Sequence, residues 1–188
     1  MAISLAGCSG PLGGEGVLTA AGWAPDGSIV AATHATDHPA KLWSGAPGEE
    51  LRPLAFEYCQ PAAILSVFRL SGDRLGLTVV CGEQDEAQLE AWRNGQSAQY
   101  SVRLVALQPS SGRVEQLAAK PARVDVSIQD GVWSEAAGAG FVEYSNGCPG
   151  VGRLDAGGAV QPLALTVPLP GGSVSMSSEP AARSRSCP

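Results

Sequence analysis

Among the 188 residues of this chain, five cysteines and two histidines are the side chains best suited to chemistry, and their spacing decides which chemistry. His34, Asp37 and His38 share the segment HATDH. A His-x3-His pair ligates a metal well when a helix puts both imidazoles on one face, but this pair follows a strand-like run and precedes Pro39. The segment reads as a solvated loop, and no metal site is expected. The cysteines show neither CxxC spacing nor histidine neighbours, so a thiolate metal centre is not indicated either. There is no GxSxG, and histidines confined to one loop leave no general base for a Ser or Cys nucleophile, so no catalytic residue is assigned. The stretch EQDEAQLEAWRNGQSAQ, residues 83–99, gathers Glu83, Asp85, Glu86 and Glu90. It lacks the glycine-centred turn of a calcium loop and reads as a solvated excursion with two helical turns, in which Trp92 is a candidate contact anchor. GAGFVEYSNG contains GxG but opens a strand, so it presents no helix N-terminus to a phosphate. No cofactor is expected.

The elements that must position these residues are short strands. With 24 Gly and 14 Pro, turns recur too often for long helices, and 44% hydrophobic content is enough to bury a core. The stretch GWAPDGSIVAAT, residues 22–33, recurs. FRLSGDRLGLTVV repeats its order of aromatic, turn and strand, displaced by about 46 residues, and Trp133 stands 110 residues after Trp23. LRPLA at Leu51 matches VQPLA at Val160, 109 residues on, and GEELRPLA at Gly48 matches SGRVEQLA at Ser111, 63 residues on. The difference between 63 and 46 places an insertion of about 17 residues, 83–99, between the second and third strands of the middle copy. Each unit then has an inner strand (17–21, 64–68, 124–128), a hairpin turn (PDG, SGD, QDG), and an apolar second strand packed on both faces. Two further strands follow, joined by APGE, PSSG or DAGG. Such units cannot bury both faces alone and must stack.

An aromatic followed by xPDGxxIA, then LW some dozen residues later, resembles the blade repeat of TolB-like β-propellers, relatives of the WD-repeat family. The resemblance implies an all-β chain: a partial β-propeller of about three four-stranded antiparallel blades over residues 16–170, with blades at 16–55, 56–118 and 119–164. The remainder, 171–188, would be an incomplete fourth blade, beginning with Val174 and Met176, or a disordered tail. An open half-propeller exposes apolar faces and strand edges, so self-association or a missing second half is implied. In a meandering blade, the connection into the inner strand and the loop between second and third strands lie at one end, opposite the PDG turns. Cys59, Cys81 and Cys148 therefore converge there, and disulfides are favoured over metal. The pairing expected is Cys59 with Cys81 within one blade; Cys81 with Cys148 is the alternative, free buried thiols a third reading, and Cys187 is unassigned.

Leu5-Ala6-Gly7-Cys8 resembles the lipobox of bacterial lipoproteins, which implies lipidation at Cys8 and a flexible Gly/Ser-rich tether over 9–15. Only four residues precede Leu5, so 1–8 reads as the remnant of a truncated signal. A net charge of −6 leaves no basic stripe for nucleic acid. The expected protein is thus a non-catalytic, lipid-anchored, extracytoplasmic binding or scaffolding module of the cell envelope. Its protein or small-molecule ligand would meet a loop face shaped by His34, Asp37, His38, Trp92 and Asn146. The alternatives are an accessory propeller of an exported hydrolase or peptidase, and an inactive fragment.

Overall fold

The computed structural model describes residues 16–35, 38–59, 63–82, 100–119, 127–145, 149–163, 165–169 and 172–176. Every element among them is a strand. The first sheet comprises β1 (Val17–Trp23), β2 (Ile29–Ala35), β3 (His38–Gly45) and β4 (Arg52–Leu54). The second comprises β5 (Ala63–Arg69), β6 (Leu75–Gly82), β7 (Tyr100–Gln108) and β8 (Arg113–Gln116), and the third β9 (Ser127–Ser134), β10 (Ala139–Ser145), β11 (Pro149–Asp155) and β12 (Val160–Pro162). All three are antiparallel meanders in chain order, and β13 (Leu165–Leu169) pairs with β14 (Gly172–Met176) as a separate two-stranded ribbon. Val174 and Met176 thus lie on the second strand of that ribbon.

Glycine punctuates the hairpins where the backbone must turn left-handed. Gly27, Gly72 and Gly138 hold φ of 85°, 68° and 54° in the first turn of each sheet. The third sheet departs from the sequence reading. The expected inner strand 124–128 and its QDG turn are replaced by β9, which runs through Gln129, Asp130 and Gly131 to a turn at residues 135–138. The reason is packing. A Cβ at Gly131 would stand 2.8 Å from Val142 Cγ1 and 3.0 Å from the Phe141 carbonyl oxygen, so this glycine serves close approach rather than a turn. Asp130 accepts the Gly131 N–H locally.

A bulge recurs on the first strand of every sheet. The ladder register skips Thr19, Leu65 and Gln129, the second and third of them 46 and 110 residues after the first, the displacements read from the sequence. In the ladders Trp43 opposes Pro53 and Gly152 opposes Pro162, which preserves the displacement of 109 between LRPLA and VQPLA. Four residues beyond each bulge stand Trp23, Arg69 and Trp133.

The sheets pack face to face, β1 against β5 and β5 against β9. Between the first and second lies an apolar core of Val30, Ala32 and Leu42 against Leu75, Leu77, Val79, Val105 and Leu107. Between the second and third the core is thinner: Leu104, Ala118, Ile128, Val142 and Leu154. β6 lies between neighbours, which is why its run from Leu75 to Val79 is buried without alternation.

Candidate binding face at the disulfide end

Antiparallel meandering sorts the connections onto two ends. The turns at 24–28, 46–51, 70–74, 109–112 and 135–138 gather at one; the end of β2, the start of β3, the end of β6, the start of β7 and Cys59 lie at the other.

Several polar side chains of the turn end are bonded within it. Asp26 accepts from the Ser28 N–H (2.9 Å) and hydroxyl (2.7 Å), which holds its carboxyl below the usual range. Arg69 donates to the Pro25 carbonyl (3.4 Å), tying the second sheet to the first turn. Glu135, in the turn of the third sheet, accepts from the Ser71 N–H and from Arg74. Bonding from Ser71 first, and the Arg74 charge after it, lowers the Glu135 pKa. Arg74 also pairs with Glu115 at 3.6 Å, and Asp73 accepts from Gln108 and Ser110. These contacts hold the turns of neighbouring strands and sheets together.

The loop end differs. Cys59 and Cys81 are joined as a disulfide there, with Cα atoms 5.7 Å apart. Cys59 is exposed with φ of 45°, in the left-handed region where L residues other than Asn and Asp are uncommon, while Cys81 is buried in the core at the end of β6. The bond anchors the link from β4 to β5. That link lies along the second sheet: Phe56 and Tyr58 pack on the core, and the Tyr58 hydroxyl donates to Gln116 of β8 (3.0 Å). Sequence reasoning missed this strap; the only local signal was two aromatics, Phe56 and Tyr58, in a segment otherwise read as loop.

His34 lies at a second bulge, where β2 shifts register against β3. Its side chain is half-buried, and its Nδ1 is shielded from solvent without a hydrogen-bond partner among the described residues. Bulges re-aim side chains, and this one places an imidazole at the loop end. His38 begins β3, but its side chain lies outside the described residues, as do Cys8, Asp37, Trp92, Asn146, Cys148, Cys187 and the whole 83–99 insertion. The structure thus brings Cys59 and Cys81 together, and sets His34 at the same end of the first sheet. Among the described residues no three potential ligands cluster around a metal position.

No protein-family model matches the chain, and no curated protein matches it. Among solved structures it is similar to a crystal structure of a protein of unknown function from Dyadobacter fermentans, with a TM-score of 0.54 at 14% identity. The likeness covers 86% of this chain and 56% of that one, so the chain spans just over half the length of the structure it matches. At this identity the likeness concerns the fold alone.

Proposed function

We infer that this chain is a non-catalytic binding or scaffolding module, part of a β-propeller, whose ligand meets the disulfide end, and that Cys8 lipidation places it at the outer side of a bacterial membrane. The observation that carries the reading is the asymmetry of the two ends. At the turn end Arg74 pairs with Glu135 and Glu115 and Arg69 donates to the Pro25 carbonyl, whereas the loop end holds a disulfide-anchored strap and an imidazole nitrogen without a described partner. Loops at one end of a rigid sheet stack are where recognition is ordinarily built. Stacking of successive four-stranded meanders through their first strands supports the propeller, and Leu5-Ala6-Gly7-Cys8 supports the anchor.

Two measurements test it. A photoreactive amino acid at Trp92 or Asn146 in producing cells should yield cross-linked adducts that the same group at Asp26 does not; equal yields at both ends would sink the assignment of the face. Metabolic labelling with palmitate should mark the wild-type chain and not Cys8→Ala, and an unlabelled wild type would remove the anchor.

A further inference from the structure

We propose that the outer face of the first sheet is covered by the outer face of the third sheet of a second copy of this chain, and reciprocally, so that two copies close into one ring of sheets. This goes beyond the loop-end reading and does not depend on it.

The register of the repeat carries the argument. Trp23, Arg69 and Trp133 occupy one position, four residues past the bulge of their first strands. In the third sheet, Trp133 packs with Leu104 of the sheet before it, and Gly140 opposite Trp133 brings the backbone within reach of that leucine. In the second sheet, Arg69 reaches back to Pro25 of the first. This side of a sheet therefore faces its predecessor. The first sheet has no predecessor among the described residues, and Trp23 is 60% exposed, with Leu18 on the same side at 51%. Trp43 and Lys41 continue that face, the indole donating to Thr33, which is Lys41's partner in the ladder.

The third sheet presents the other half of the contact. Val132 and Phe141, ladder partners, are 44% and 41% exposed on its far side. Their counterparts in the second sheet, Phe68 and Gly76, lie on the side that meets the third sheet, the side from which Thr78 donates to the Gly131 carbonyl. β13 does not take the vacant place beside β9. Only residues 163–164 separate it from β12, a reach of about 10 Å, whereas crossing a four-stranded sheet takes about 14 Å. Among the described residues, both sides of a contact that the chain makes twice internally thus stand uncovered. A twofold axis brings each first sheet onto a third sheet and closes after two copies, which an unrelated partner on one face would not do. Charge agrees, since Lys41 on the first face meets the acidic ladder pair Asp130 and Glu143 on the third.

Sedimentation of the oxidised full chain tests this. The expected species has twice the 19.1 kDa chain mass. Trp23→Lys and Phe141→Lys should each weaken association by about thirtyfold or more while leaving circular dichroism unchanged, because both side chains are exposed. A wild type that stays monomeric at every concentration overturns the proposal. Loss with Trp23→Lys but none with Phe141→Lys would mean that first faces meet each other, and growth beyond two copies would mean a contact that does not close; either overturns the ring. Should a lysine variant misfold, charge reversal decides. Lys41→Glu should weaken association and Glu143→Lys in the same chain should restore it, and failure to restore overturns the pairing.

Discussion

The two interfaces within the stack solve the same packing problem with different materials. Between the first and second sheets, leucines and valines fill the space from both sides, and the loop end is closed by the disulfide and the Tyr58 strap. Between the second and third sheets fewer apolar side chains meet. Gly131 and Gly140 replace side chains with backbone, and hydroxyls of Ser66 and Thr78 satisfy the Gly131 carbonyl that this approach buries. One interface rests on apolar volume, the other on close backbone approach with matched polar groups. The difference teaches that a repeat conserves register more strictly than it conserves chemistry, since the bulge and the ladder positions persist while their contents change.

The comparison can be broken most forcefully at Leu77. Leu77→Ala should cost about 4 kcal/mol, near the upper end for a fully buried leucine, and Leu104→Ala in the thinner interface about 2–3 kcal/mol, read from denaturant midpoints. Equal losses would remove the distinction. Reducing the Cys59–Cys81 bond, which spans 22 residues, should release about 3 kcal/mol of stability, and Cys59→Ser should be insensitive to reductant.

The thinner interface can be sharpened by overfilling it. Gly140→Ala sets a Cβ 2.8 Å from Leu104 Cδ1 and should cost about 1–3 kcal/mol; combined with Leu104→Ala the loss should fall short of the two separate losses together. A smaller effect is expected from its polar contacts. Thr78→Val alone should cost about 1 kcal/mol, because Ser66 still reaches the Gly131 carbonyl at 3.2 Å, and adding Ser66→Ala should cost more than Ser66→Ala does in the parent. The smallest effect belongs to Glu135. Its folded pKa is lowered, so its contribution is present above about pH 4.5 and is lost as pH falls through the folded value. The difference in melting temperature between wild type and Glu135→Gln should therefore be constant near neutrality and vanish in acid; a difference that grows in acid would contradict the bonding described.

Much of the architecture is legible in local sequence because turn chemistry and apolar runs are local properties. PDG, SGD, APGE, PSSG and DAGG all sit in turns, and the unbroken apolar run of β6 announces a strand buried on both faces. Cys59 and Cys81 could be placed at one end because meandering alternates the direction of successive strands. QDG misled because glycine's local preference for a turn is indistinguishable in sequence from its use for close contact. What separates the two is Val142, 11 residues away in the chain and visible only once the sheet forms. The candidate site was less legible still. Sequence pointed to His34 as a loop residue, and a register shift made it a strand residue at a bulge.

By itself, then, the sequence determined the period of the repeat, the positions of most of its hairpins and the end at which Cys59 and Cys81 meet, since each follows from backbone preferences within a few residues. Tertiary structure alone decided which side of each sheet is covered. Trp23 and Trp133 are the same residue in the same register, yet one packs on Leu104 and the other is 60% exposed. The physical reason is that burial is a property of the neighbour a side chain meets, and no local pattern records whether a neighbouring sheet is there.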